Sequence, residues 1–250
     1  MRLEMEESGT WKSCIGAISE LVEETNFEFG EDAVEMKAMD PSHVVLVDFR
    51  LSREACQEYD IEESKELGID LTEMNRIMSR AKKSDWLSLS FSEDDNTLAV
   101  TFEGNGVRTF TLPLISLEVE ETPDPDLDHT AWASVGAGAI KDGLKDASLM
   151  KDNVTIKLSE ENLLLSAESD AGEAETELSP ESDAVEGLDV DESSKAVYNI
   201  EFLQKMLKGA GSKDMVEVSH GTDMPIDLTL PLADGKGHLR FLLAPRVEAE

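Results

Sequence analysis

Residues 71–91 read LTEMNRIMSRAKKSDWLSLSF, and residues 200–220 read IEFLQKMLKGAGSKDMVEVSH. Laid over each other with a shift of 129, they set Leu71 on Ile200, Met74 on Leu203, Ile77 on Met206, Met78 on Leu207, Ala81 on Ala210, Asp85 on Asp214, Leu87 on Val216 and Leu89 on Val218. In each copy apolar residues first recur at intervals of three and four, the period of a helix, and then alternate, the period of a half-buried strand. One unit, an amphipathic helix followed by a strand, is therefore used twice. Arg76, Arg80 and Lys83 fall at i, i+4 and i+7, and Lys205 and Lys208 occupy the corresponding turns of the second copy. The spacing predicts a basic stripe along each helix, with the windows running over 72–83 and 201–213.

The flanking sequence repeats too. Residues 1–6 alternate weakly as a first strand, and Ser8 offers an N-cap for a helix to about residue 23 with Ile15, Ile18 and Val22 on its buried stripe. Residues 26–39 alternate on both sides of a Gly-Glu-Asp turn, and 44–51 (VVLVDFRL) is a strongly β-prone run. Strands at 97–102 and 107–115 are joined by Glu103-Gly-Asn-Gly106, a good hairpin turn. Residues 117–129 (LEVEETPDPDLDH) hold two prolines in a dense run of carboxylates with no period, which reads as an extended linker. Beyond it come a helix at 138–150 with Ile140, Leu144 and Ala147 inward, a hairpin at 153–166, an acidic strand at 173–178, and a loop around a strand-like core at 179–194. After the second copy of the unit, strands at 225–230 and 239–243 flank a turn at 235–237. The expected fold is α+β: two similar domains, 1–116 and 131–250, joined by a connector at 117–130, with the helices on one face of antiparallel sheets.

Charge narrows the function. The 250 residues carry 22 Lys+Arg against 55 Asp+Glu, a formal charge of -33, while 40% hydrophobic residues suffice for real cores. The acids are spread through ordinary amphipathic segments, as in proteins of a halophile's cytosol, where dense carboxylates hold hydration and ions. Against that background, eleven of the 22 basic residues fall in four helix windows, 9–23, 72–83, 137–151 and 201–213. Asp and Glu solvate a helix as well as Lys does, and Glu is a comparable helix former. A face kept basic in such a chain points to an anionic partner, and the phosphates of a duplex are the obvious candidate. Nothing reads bases: no recognition helix starts with clustered Asn, Gln and Arg, and no aromatic platform is present.

The remaining chemistry is thin. Cys14 and Cys56 read as reduced intracellular thiols, and no apolar run is long enough for a membrane span. His43, His129, His220 and His238 are scattered without ligand spacing, and no phosphate loop or nucleophile pair stands out. Asp124, Asp126 and Asp128 alternate in the connector, but the prolines between them favour a solvated linker over a cation site. No metal, no cofactor and no catalysis are expected, and the location expected is cytoplasmic, at the nucleoid.

With the repeated unit, the acidic connector and the pieces Ala38-Met-Asp-Pro-Ser-His-Val44, Gly237-His-Leu-Arg240 and Leu242-Leu-Ala-Pro-Arg246, the whole chain resembles the proliferating cell nuclear antigen family, the sliding clamps of DNA replication, in its archaeal form. The resemblance implies a ring of three subunits whose twelve helices, about 10 Å across, would line a hole roughly 28 Å clear. It implies that Lys12, Arg76, Arg80, Lys83, Lys141, Lys145, Lys205 and Lys208 face the DNA, fewer cations than the family norm. Ring closure would pair the strand holding Val107, Arg108, Thr109, Phe110, Thr111 and Leu112 with Glu173, Ala174, Glu175, Thr176, Glu177 and Leu178 of the next subunit. A pocket for a short helical motif of polymerase, clamp loader, ligase and flap nuclease would use Met39, His43, Val44, Leu46, Val119, Pro225, Leu242, Ala244, Pro245 and Arg246. The alternative left open is an acidic oligomeric binding protein with no DNA role, its basic helix faces serving as subunit contacts.

Overall fold

The computed structural model describes every residue except 62, 119–121, 124 and 247–250. The chain forms two compact units, the first Met1–Pro41, Val47–Thr122 and Pro231–Leu239, the second Ser42–Leu46, Pro123–Leu230 and Arg240–Glu250.

The first unit runs β1 (Arg2–Met5), α1 (Gly9–Ile18), β2 (Glu24–Phe29), β3 (Ala33–Met39), β4 (Val45–Ser52), β5 (Glu58–Asp60), β6 (Lys65–Asp70), α2 (Leu71–Met78), β7 (Trp86–Ser92), β8 (Thr97–Glu103) and β9 (Val107–Pro113). The second runs β10 (Ala131–Gly136), α3 (Ala137–Ser148), β11 (Asn153–Leu158), β12 (Leu163–Ser169), β13 (Gly172–Leu178), β14 (Val185–Val190), β15 (Ser194–Asn199), α4 (Ile200–Met206), β16 (Met215–His220), β17 (Ile226–Leu232) and β18 (Gly237–Leu243). Element follows element in the same order, and so does the pairing. Strands run β5-β1-β7-β8-β9 and β4-β3-β2-β6 in the first unit, β14-β10-β16-β17-β18 and β13-β12-β11-β15 in the second.

The shift of 129 survives down to single hydrogen bonds. The side chain of Asp70 accepts from the amide of Glu73 at the start of α2, and that of Asn199 accepts from Phe202 at the start of α4. At the other end, Asp85 Oδ2 accepts from the amide of Lys82, and Asp214 Oδ2 from that of Gly211, each closing the turn that redirects the chain into a strand. Ser8 N–H reaches the carbonyl of Asp85, and Ala137 N–H reaches that of Asp214. The cores differ in chemistry. Trp11, Phe27 and Phe49 make an aromatic cluster with ring centroids 5.5–6.0 Å apart, Phe49 edge-on to the other two, where the second unit buries the aliphatic Ile140, Ile156 and Leu178.

Several sequence expectations need correction. Helix α1 stops at Ile18, five residues short of the end expected, and Ser8 caps nothing with its side chain: its hydroxyl donates to the carbonyl of Lys82. Helix α2 stops at Met78 and α4 at Met206, the latter followed by a 3-10 turn at Leu207–Gly209. Arg80 and Lys83 are therefore not on a helix, and the predicted i, i+4, i+7 stripe ends at Arg76. The Asp-closed turn wins over helix propensity there. Strands β5, β6, β10 and β15 had no counterpart in the sequence reading; Ala131–Gly136 (AWASVG) and Lys65–Asp70 (KELGID) are too rich in small or charged residues to look β-prone.

Glycine is required where the segment after β9 meets β6 in the first unit; the equivalent position in the second is Val197. The amide of Ile115 donates to the carbonyl of Gly68, and a Cβ on Gly68 would sit 2.2 Å from the Ile115 carbonyl oxygen. Gly68→Ala is expected to lower unfolding free energy by about 2 kcal/mol or more. Gly106→Ala, which meets nothing within 4 Å, is expected to stay within ~0.5 kcal/mol, both read from denaturant melts.

Candidate functional site

Three groups of residues were singled out, and they fare differently. Among the cations, Lys12 and Lys141 occupy equivalent places on α1 and α3 and do the same job. Lys12 Nζ donates to the carbonyls of Ala81 (2.6 Å) and Ser79 (3.2 Å), and Lys141 Nζ to that of Ala210 (2.5 Å), just beyond the C-terminal ends of α2 and α4. An ammonium there satisfies orphan carbonyls and faces the negative end of the helix dipole. Burial lowers the Lys141 pKa, partly offset by Asp214. Arg76, Lys145 and Lys205 each pair with an acid on their own helix: Glu73, Asp142 and Glu201. These are exposed i, i+3 or i, i+4 pairs, worth little to stability, but they mask part of the positive field. Arg80, Lys83 and Lys208 are exposed, the first two in the loop after α2 and the third in the 3-10 turn after α4.

The two strands expected at a subunit boundary are both sheet edges, each seven residues long. On β9, Val107, Thr109 and Thr111 are exposed and alternate with Arg108, Phe110 and Leu112. Val107 is 68% exposed, one of two large apolar side chains so open among the described residues. Arg108 is occupied: it pairs with the buried Asp85, donates to the Arg80 carbonyl (2.8 Å) and lies over the Phe102 ring. On β13, Glu173, Glu175 and Glu177 are exposed, whereas Ala174 and Thr176 are half-buried and Leu178 is buried. Gly143 of α3 lets Thr176 approach, with 3.1 Å to the place a Cβ would take.

The expected pocket residues divide between units. Met39 ends β3 in the first, half-buried; Val119 lies outside the described residues. In the second unit, His43 holds a left-handed backbone (φ 55) and is exposed, and the Val44 carbonyl accepts from the Ala244 amide at 2.9 Å, which brings those two stretches together. Leu46 and Leu242, expected in the pocket, are core residues, 5% and 4% exposed. Ala244, Pro245 and Pro225 are half-buried. Arg246 is exposed; its amide donates to the Val197 carbonyl (2.7 Å), and it lines a polar hollow with residues of β11, β12 and β15.

Sequence reasoning passed over what fixes Pro225. The ring N–H of His129 donates to the Pro225 carbonyl (2.9 Å), and the hydroxyl of Tyr198 to that of Met224 (2.6 Å). Behind them His220 is fully buried, its Nδ1 2.5 Å from the Ser194 hydroxyl and its Nε2 without a partner among the described residues. Burial, aided by His129, pushes the His220 pKa down to about 4. Burial pushes Cys14 up to about 12, leaving an inert thiol. Among the described residues no group of three or more His, Cys, Asp or Glu could hold a metal ion, and no helix is long and apolar enough to cross a membrane.

Two copies of one unit, each with two helices packed with antiparallel strands in the same order, define the fold of the ring-forming DNA clamps. Family models agree: that for the N-terminal domain of proliferating cell nuclear antigen matches residues 1–122, and that for the C-terminal domain matches residues 124–246. The chain belongs to the proliferating cell nuclear antigen family. It is 39% identical over 234 residues to DNA polymerase sliding clamp 1 of Thermococcus kodakarensis, covering 94% of this chain and 93% of that one. The DNA polymerase sliding clamp of Pyrococcus furiosus is 36% identical over the same coverage. Among solved structures, a proliferating cell nuclear antigen of Thermococcus kodakaraensis superposes with a TM-score of 0.94 at 29% identity, covering 98% of this chain and 99% of that one. The clamp of A. fulgidus with the C-terminal region of the flap nuclease FEN-1 bound gives 0.90 at 25% identity, covering 100% and 99%. A PCNA2–PCNA3 complex from Sulfolobus tokodaii gives 0.90 at 27% identity, covering 98% and 99%.

The buried imidazole generates a pH dependence. Its folded pKa of about 4 lies below the ordinary 6.5, so the native state binds fewer protons than the unfolded one. Its contribution is constant above pH ~6.5 and declines by about 3 kcal/mol as pH falls toward 4. Denaturant melts are expected to show that slope in the wild type and a shallower one in His220→Leu; parallel slopes would refute it.

Proposed function

We propose that the chain is a DNA polymerase sliding clamp, three copies of which close head to tail around duplex DNA and tether polymerase, clamp loader, ligase and flap nuclease as a processivity factor. The observation that carries this, beyond family membership, is the pair of seven-residue strand edges, β9 and β13, left open in one chain. Pairing β9 of one subunit with β13 of the next satisfies both of these rows of main-chain groups. Residues 117–130 serve as the connector between domains 1–116 and 131–250. Arg76, Arg80, Lys83, Lys145, Lys205 and Lys208 face the DNA, while Lys12 and Lys141 act mainly on the helix ends. The docking surface is Val44, Pro225, Ala244, Pro245 and Arg246, with His43 at its margin and Leu46 and Leu242 beneath; Met39 and Val119 keep only the part that the resemblance implies for them.

In this reading the chain catalyses nothing. It holds DNA by topology, so the weak positive field on the helices suffices. A chain of charge -33 fits work in concentrated salt, where the Debye length is only about 3 Å and counterion release no longer drives binding.

Light scattering in molar salt is expected to give a trimer. Loaded on nicked circles, the trimer is expected to stay, and to slide off within minutes of linearisation. Equal loss from circles and linear ends would sink the clamp reading and favour an oligomer with no DNA role. Pro245→Ala with Val44→Asp is expected to weaken binding of a flap nuclease's C-terminal peptide about tenfold or more with the trimer intact; loss of the trimer would show the surface misassigned.

A further inference from the structure

The turn at 79–85, between α2 and β7, carries Arg80, Lys82 and Lys83 and is held from two sides within the first unit. From the side of α1, Lys12 donates to the carbonyls of Ser79 and Ala81, the Ser8 hydroxyl to that of Lys82, and the Ser8 amide to that of Asp85. The Arg80 carbonyl in their midst is held from elsewhere, by the Arg108 guanidinium of the edge strand β9 at 2.8 Å. The same guanidinium lies over the ring of Phe102, its cross-strand neighbour, and pairs with Asp85, the buried carboxylate that closes the turn through the Lys82 amide. Gly104, in the hairpin turn that leads into β9, completes the fit, because a Cβ there would strike the Asp85 carboxylate. The second unit has no such brace. Asp214 closes the equivalent turn through the Gly211 amide and forms no ion pair among the described residues.

Arg108 is thus an addition to the repeated block, made on the strand assigned above to the subunit joint. A strand with a neighbour on one side only opens locally more easily than one paired on both. The bonds that Arg108 makes are only as firm as that strand. Pairing of β9 with β13 of the next copy therefore tightens the hold on Arg80 and Asp85, and loss of the pairing relaxes it. We propose that Arg108 is a positioning residue that couples closure of the ring to the turn facing the DNA: a closed joint fixes Arg80 and Lys83, and an open one frees them. This rests on the clamp reading above and adds to it a link between the joint and the inner face. The link is reciprocal, so an ordered turn strengthens the joint by the same factor as the joint orders the turn.

Hydrogen exchange at the amides of Arg80, Ala81, Lys82 and Asp85, all hydrogen-bonded in the turn, reads the coupling. The wild-type trimer is compared at one salt concentration with the monomer, obtained by dilution or by Thr109→Glu with Thr111→Glu, which sets like charge against Glu173, Glu175 and Glu177 of the next copy. The four amides are expected to exchange about tenfold faster in the monomer, while those of Gly211 and Asp214 in the second unit change less than about twofold. In Arg108→Met the turn is expected to exchange at the monomer's rate whether or not the chains associate. Arg108→Lys, which keeps the charge beside the joint but lacks the fork that serves Arg80 and Asp85 together, is expected to do the same. A wild-type turn equally slow in trimer and monomer would overturn the coupling and leave the clamp reading standing. So would variants that weaken the trimer while the turn stays slow, since Arg108 would then serve the joint alone. A wild type that light scattering shows not to be a trimer would overturn the ring first, and the coupling with it.

Discussion

Helices of eight and seven residues, as α2 and α4 are, cannot hold themselves together in water. What keeps them is the treatment of their ends. Asp70 and Asn199 satisfy orphan amides at the start, Lys12 and Lys141 cover orphan carbonyls at the finish, and Asp85 and Asp214 close the turn that follows. The caps join strand to helix, the lysines join one helix to the end of its neighbour and the aspartates hold the turn into the next strand, so the short helix, its longer neighbour and the following strand form one cooperative block. The same block appears twice because each part of it depends on the others; a drift at one of the six positions would leave a partner's polar group unpaired.

This structural duty changes the meaning of the positive charge. Two lysines are committed to helix ends, and three cations are masked by acids one turn away. A site that bound DNA by affinity would keep such cations free, since each neutralised phosphate releases counterions and strengthens the complex. A ring needs the opposite balance. Its inner face should be close to neutral, enough to admit a polyanion without gripping it, because tight phosphate contacts would impede sliding. The pairing seen on the helices is what a topological clamp can tolerate and a conventional DNA-binding surface cannot.

How far the sequence carried the reading depends on where the information lay. The helix-to-strand unit was legible because it repeats, and a repeat doubles a weak signal: Leu71 and Ile200 mean little alone, yet eight aligned positions fix a common architecture. Helix ends were not legible, because Arg80 and Lys83 continue the apolar period's polar complement while the Asp85 side chain, three residues on from Lys82, ends the helix through a contact that periodicity does not encode. The strand at 131–136 was missed since AWASVG has no alternation strong enough to register; only its pairing with β16 makes it a strand. The C-terminal run was singled out through a resemblance, whereas His129, Tyr198 and His220 were invisible as a group. They are far apart in sequence, and no spacing rule connects His129 to a buried imidazole at 220.

The open edges close the reasoning about assembly. An exposed strand edge pairs with whatever presents a complementary row, including another copy of itself, so something must decide between like and unlike pairing. Two β13 strands brought together would set Glu173, Glu175 and Glu177 against the same three residues, and like charges across a sheet destabilise it. Two β9 strands meet no such barrier, but Val107, Thr109 and Thr111 carry no charge and are as well matched by the aliphatic stems of glutamates as by each other. One edge forbids its own kind and the other accepts either. If every β13 must pair, each must therefore take a β9, and head-to-tail pairing in which every copy uses both edges is the arrangement that closes as a ring and leaves none unpaired.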